Sequence, residues 1–199
     1  MKKYASRAFT LVELSAVIAV ISILVLITAT IYRSVQVQAR DSKNADAADK
    51  FADAIKLFTI KYEHFPKGGS ASTTAIGAAT ECADGADGWA ATGYVCDIED
   101  SLVASGYLPS GFVASQSPNP LYPANKTGSQ AFMVYVAATA GTPPVTKAMV
   151  MYSMESPSSN DTDNFNNELT KCYGSVPGSY SPRDTFGMKN GICVVVQTL

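Results

Sequence analysis

The stretch "RAFTLVELSAVIAVISILVLI", residues 7–27, decides how the chain is read. It opens behind the cations Lys2, Lys3 and Arg7, and its apolar run carries a single carboxylate, Glu13, near the start. From Leu14 to Ile31 there are 18 uncharged residues. At about 1.5 Å rise per residue, a helix of that length covers roughly 27 Å, close to the hydrocarbon thickness of a bilayer. The basic residues ahead of it stay cytoplasmic by the positive-inside rule, which places everything after Ile31 on the far side of the membrane. A secretory signal peptide has a shorter apolar core, about 7 to 15 residues, ending at a small-residue cleavage site. Here the run is longer and continues straight into a helical pattern. A plain single-pass anchor explains the length but leaves Glu13 without a role.

Glu13 follows Phe9 by four residues, one turn along the same helical face. A carboxylate inside a membrane helix costs on the order of 2.5–3.5 kcal/mol, so it requires a partner. Cleavage between Ala8 and Phe9 would create one, because an α-amine with a pKa of roughly 7.7–8.0 is largely cationic at neutral pH. Within one chain the pair lies in the first helical turn, where the macrodipole also favours a carboxylate. Between chains, Glu13 of one subunit meets the Phe9 amine of its neighbour and fixes the axial register of packed helices. Processing then switches assembly on.

The segment "AFTLVELSAVIAVISILVLI" resembles the class III signal sequence of type IV pilins and type II secretion pseudopilins. The resemblance implies a basic leader, residues 1–8, removed by a membrane prepilin peptidase and methyltransferase. It further implies an N-methylated Phe9, and helices stacked through Glu13 into a filament core. Two features depart from the usual pattern: Ala8 stands where Gly commonly precedes the cut, and no Gly or Pro occurs from Phe9 to Phe65.

That uninterrupted span of about 57 residues would make a helix of roughly 85 Å, longer than a globular core can bury. Residues 9–31 are read as the transmembrane and filament-core part, and 32–65 as its continuation onto the head. In the continuation, Phe51, Ile55, Phe58, Tyr62 and Phe65 recur at intervals of four and three, an apolar stripe that packs on something later in the chain. Pro66 and the glycines after it end the helix.

The head, residues 66–199, begins with a Gly-, Ala-, Ser- and Thr-rich loop. Asp97 caps a short helix over 98–105 that Gly106 stops. Candidate strands are "AFMVYVAA" at 131–138, "AMVMYSME" at 148–155 and "ICVVVQT" at 192–198. The expected fold class is α+β: a long amino-terminal helix packed on an antiparallel sheet of about three to four strands. "YEHFP", "LVASGYLPS" and the Pro-rich "SPNPLYPANKTGSQAFMVYV" resemble, in their order, the heads of many pilins and major pseudopilins.

Composition bounds the function. The chain has 199 residues and a formal charge of −2, which falls to −5 without Lys2, Lys3 and Arg7. Such a surface gives no general attraction to nucleic acid or anionic lipid. Cys82, Cys96, Cys172 and Cys193 are even in number and follow the membrane segment, which favours disulfides in an oxidising compartment over free buried thiols. Of three possible connectivities, Cys82–Cys96 with Cys172–Cys193 closes the shortest loops. The segment between the latter two, with Tyr173, Tyr180, Arg183, Phe186 and Lys189, lies where many pilins expose a contact region.

The run "NDTDNFNNE", 160–168, is read as a solvated polar loop, with Asp161, Asp163 and Glu168 as weak calcium candidates. Asn125 and Asn160 begin N-x-Thr patterns. With His64 the sole histidine, a nucleophilic triad would have to pass through one helix-terminal residue, so no enzyme activity, metal or cofactor is expected.

The expected function is therefore a structural type IV pilus subunit. It is a homo-oligomer in a helical filament, a single-pass membrane protein before assembly and extracellular after it. Its partners would be the prepilin peptidase and the membrane assembly machinery, with adhesion, DNA uptake or twitching motility as roles that surface contacts would decide. The alternatives are a pseudopilin, or a membrane-anchored binding protein that never polymerises.

Overall fold

The computed structural model of the chain describes residues 10–69, 74–83, 88–89, 95–112, 132–136, 147–174 and 188–196. Helix α1 covers Leu11–Tyr62. It ends at Tyr62 rather than Phe65, because Glu63 adopts a left-handed φ of 63° and Phe65, preceding Pro66, is biased away from helix. Phe65 nevertheless stays in the core. The chain divides into two compact units, Met1–Ala39 and Arg40–Leu199.

In the second unit α1 buries one face. Asn44, Ala47, Ala48, Phe51, Ile55 and Phe58 recur at three- and four-residue intervals and are sealed from solvent. The small Ala47 and Ala48 side chains admit close approach, and the Phe51 ring stacks on Phe132 with centroids 5.7 Å apart. Phe132 belongs to a four-stranded antiparallel sheet in sequential order: β1 (Gly88–Trp89), β2 (Phe132–Val136), β3 (Lys147–Ser153) and β4 (Met188–Val195). The fold is α+β, with the helix stripe seated on the sheet.

Strand β3 is buried from Ala148 to Ser153, on both of its faces. Ala148, Val150 and Tyr152 join the cluster that holds the α1 stripe. Met149 and Met151 point the other way, into a second cluster with Phe165, Leu169 and Cys172. Those last three lie on helix α3, Ser159–Tyr173. The polar loop expected at 160–168 is thus helix, and the sheet has a layer on each face.

Local chemistry explains α3. Ser158 and Asp161 form a reciprocal capping box, Gly174 ends the helix at φ 79°, and Phe165, Leu169 and Cys172 fall at i, i+4 and i+7. Helix α2, Ile98–Ala104, has the same device in Asp97 and Asp100, and Gly106 takes φ 79° after it. Strand β4 begins at Met188, ahead of the expected 192, and runs through Gly191. A Cβ there would lie 2.6 Å from Met149 Cε and 3.1 Å from Phe165 Cε2. Glycine therefore lets α3 lie against the strand.

The sulfurs of Cys82 and Cys96, and those of Cys172 and Cys193, stand at disulfide distance. The second pair joins α3 to β4. At the start of the second unit a polar clasp holds α1 to the β3–α3 connection. Asp41 is buried, and its carboxylate accepts the Glu155 N–H at 2.8 Å and the Ser156 N–H at 3.0 Å. Asn44 donates to the Ser153 carbonyl at 3.2 Å. Arg40 forks onto both Glu155 oxygens, with Nη2 to Oε2 at 2.8 Å.

Candidate functional site

The first turn of α1 is organised around Glu13. Thr10 N–H and Thr10 Oγ1 both donate to Glu13 Oε2 at 2.8 Å, and Glu13 N–H donates back to Thr10 Oγ1 at 3.2 Å. This is a capping box: a Thr and a Glu three residues on satisfy amide donors that the helix leaves open. The four letters "TLVE", residues 10–13, carry that signal, which an account of Glu13 as an ion-pair partner alone passes over. Ala8 and Phe9, the expected cleavage site, lie outside the described residues.

Beyond Glu13 the helix is built for an apolar medium. Every large aliphatic side chain from Leu11 to Ile31 is more than half exposed, and the most apolar window has a mean hydropathy of 2.7. Among the described residues, α1 is the one helix long and apolar enough to cross a membrane. Its few hydroxyls are satisfied internally: Ser15 donates to Val12 O, Ser22 to Ile18 O, Thr28 to Leu24 O and Thr30 to Ile27 O, all at 2.8–2.9 Å. No hydroxyl donor in this run is left seeking water, which is what lipid or a packed helix bundle requires. An apolar surface of this extent on a chain in water would mark an interaction site.

The other candidate residues belong to the second unit. Asp161 is held in its capping box and receives Asn190 Nδ2 at 3.3 Å. Glu168 accepts the Cys193 N–H at 2.6 Å and lies 3.3 Å from Lys171 Nζ, while Asp163 is exposed. The three calcium candidates are thus spread along a helix, two of them engaged by other groups. Among the described residues no group of three His, Cys, Asp or Glu side chains is arranged to hold a metal. His64 Nε2 lies 3.6 Å from Glu81, which Lys67 approaches at 3.4 Å. Asn160 is an exposed residue in the first turn of α3, and Asn125, Tyr180, Arg183 and Phe186 lie outside the described residues.

Comparison with known families agrees with the geometry of α1. Residues 3–29 match the prokaryotic N-terminal methylation motif. No curated protein and no solved structure matches the chain. The matched residues include Glu13, its Thr10 cap and most of the exposed apolar run. The chain therefore carries, at its amino terminus, the methylation motif that type IV pilins and pseudopilins use as their class III signal peptide.

Proposed function

We propose that the chain is the structural subunit of a type IV pilus. The observation that carries this reading is the methylation motif on a helix whose apolar run is exposed from Leu11 to Ile31 and bears one carboxylate, Glu13, in the first turn. The leader, residues 1–8, is removed between Ala8 and Phe9 by a prepilin peptidase, and Phe9 is methylated. Residues 9–31 hold the precursor in the membrane as a single pass and then pack with those of other copies in the filament core. Residues 32–65 continue the helix onto the head, and 66–199 form the surface that a cell-surface filament shows to its surroundings.

Glu13 has two oxygens, and this divides its work. Oε2 is taken by Thr10, and no hydrogen bond engages Oε1 among the described residues. Oε1 is the oxygen left for a cationic amine, that of Phe9 on the same or a neighbouring copy. Cys82–Cys96 and Cys172–Cys193 close after export, in an oxidising compartment.

The test is the amino-terminal mass of the chain in sheared surface material and in washed membranes of its native cells. A chain beginning at N-methyl-Phe9 in sheared filaments supports the pilin. The same terminus confined to membranes makes the chain a pseudopilin of a secretion system. A chain still beginning at Met1 leaves a membrane-anchored binding protein.

A further inference from the structure

Strand β4 unites a strongly β-forming sequence with a position at the rim of the sheet. Residues 191–196 read Gly-Ile-Cys-Val-Val-Val, without a charge or a proline. Such a segment pairs readily with another copy of itself when its edge is open. Among the described residues the strand order ends at β4, with no strand beyond it. Nor do the helices cover that edge completely. A groove of about 260 Å³ is lined by Ile192, Cys193, Val194 and Val195 in succession, and successive residues of a strand face opposite sides. The opening therefore follows the edge of β4 rather than one of its faces, with Lys56 of α1 and Lys171 of α3 beside it.

A further strand would need outward N–H groups, and in β4 these are engaged by side chains. Along an antiparallel ladder, alternate residues of the edge strand turn their N–H away from the partner strand. Gly191 and Cys193, opposite Met151 and Met149, are two such residues. The Gly191 N–H donates to Asn190 Oδ1 at 2.8 Å, and the Cys193 N–H donates to Glu168 Oε2 at 2.6 Å. The second bond is charge-assisted, and Lys171 Nζ lies 3.3 Å from both Glu168 oxygens. Glu168 precedes Cys172 by four residues and so shares its face of α3. The Cys172–Cys193 disulfide ties that face to the same residue whose N–H Glu168 takes. The beginning of the strand is guarded differently. The register slips between Tyr152 and Ser153, which pair with Asn190 and Met188, so Lys189 is the extra residue of a bulge. A bulge and a lysine at a sheet edge both discourage further pairing.

We infer that Glu168 and Asn190 keep the open edge of the sheet from adding a strand, so that heads can lie side by side without pairing through β4. An arriving strand would bring its carbonyl oxygens against acceptors already in place, two acceptors competing for one donor. At Cys193 it would also have to displace a carboxylate held by a lysine and by a helix tethered to the strand itself. The inference concerns the head alone and stands whether or not the chain polymerises.

The test compares full-length, detergent-solubilised chains, with mass followed by light scattering and strand pairing between copies by infrared spectroscopy. Glu168→Ala opens the edge and should shift the folded chain from the wild-type size to larger, strand-paired assemblies. Glu168→Gln retains an oxygen acceptor and should keep the wild-type size. Val195→Pro separates edge pairing from aggregation through partial unfolding. Val195 shares the outward parity of Gly191 and Cys193, so proline there removes no ladder bond and blocks a further strand. Added to Glu168→Ala, it should restore the wild-type size. Aggregation that persists in the double variant would overturn the inference, as would a Glu168→Ala chain that stays at the wild-type size. A second measurement needs no variant and decides the matter should the alanine chain fail to fold. In the wild-type chain the Gly191 and Cys193 amides should exchange hydrogen as slowly as those of Ile192 and Val194, which belong to the ladder with β3. Rapid exchange at Gly191 and Cys193 would show that the two acceptors do not hold the edge, and the inference would fall.

Discussion

Two stretches of one helix follow opposite rules. From Leu11 to Ile31, α1 exposes aliphatic side chains all round and pairs its hydroxyls within its own turns. From Arg40 to Tyr62 it is amphipathic, burying Phe51, Ile55 and Phe58 while charged residues face water. Backbone geometry is common to both, so the difference lies in the solvent each was selected for. The first is stable where water is absent; the second is stable because part of it excludes water. One continuous helix thereby joins an exposed apolar stretch to an amphipathic one.

The largest expected effect tests the first stretch. Glu13→Val should favour membrane insertion and yet reduce sheared filaments to background, with leader removal retained. Glu13→Gln separates the two tasks of the residue. A carboxamide oxygen still accepts from Thr10, so the cap persists, but it offers no charge to an amine. Filament loss in both variants is the expected outcome. Wild-type yield from Glu13→Gln would reduce Glu13 to a helix cap.

The second effect contrasts the stretches directly. Phe51→Ala removes a fully buried ring stacked on Phe132 and should cost about 3–5 kcal/mol in urea unfolding of the detergent-solubilised chain. Leu24→Ala deletes a side chain that is 56% exposed and should leave head unfolding within about 0.5 kcal/mol. Equal losses would mean that the apolar run packs on the head.

The contrast also explains what could be read in advance. The apolar run, the Phe51–Phe58 stripe, α2 and the existence of β2, β3 and β4 follow from local periodicity and capping, which sequence displays. Helix α3 was hidden by its composition: Asn, Asp and Thr dominate it, and only Phe165, Leu169 and Cys172 mark its buried face. The Ser158 and Asp161 pair, which forms the capping box, was the available signal. The early start of β4 was obscured by Gly191, whose presence answers a neighbour on another element. Strand β1 has two residues, too few for any pattern. Asp41 reads as one more charge on a polar helix, since its partners Glu155 and Ser156 are more than a hundred residues away in sequence.

The next two effects probe the buried side of the second stretch. Burial, with Asp161, Asp49 and Asp41 nearby, pushes the Tyr152 phenol up to about 12 from its ordinary 10.0. A raised folded value means that the stability it confers is fully present below pH 10 and is lost as the pH climbs through 12. The expected loss is roughly 2 to 3 kcal/mol, and Tyr152→Phe should flatten that part of the pH profile. Asp41→Ala leaves the Glu155 and Ser156 amides without their acceptor. Both residues are exposed enough to recruit water, so the expected cost is about 1 to 2 kcal/mol, read as a lower urea midpoint at unchanged slope.

The smallest effect lies at Arg40, where the second stretch begins. The Arg40 guanidinium, by hydrogen bonding and by its charge, holds the Glu155 carboxyl below the ordinary carboxylate range, and Glu155 in turn raises Arg40. A depressed folded value contributes stability above the unfolded pKa, about 4.3, and loses it as the pH falls through the folded one. Both side chains are substantially exposed, 42% and 30%, so solvent screens the pair and keeps its contribution small. Glu155→Gln should therefore remove a shallow acid-side slope, and 1 M salt should flatten the wild-type slope to match. A loss of several kcal/mol would instead show that the clasp acts as a unit with Asp41 and Asn44. The point at which α1 changes its rules would then be set by those three residues together, rather than by the apolar stripe that follows them.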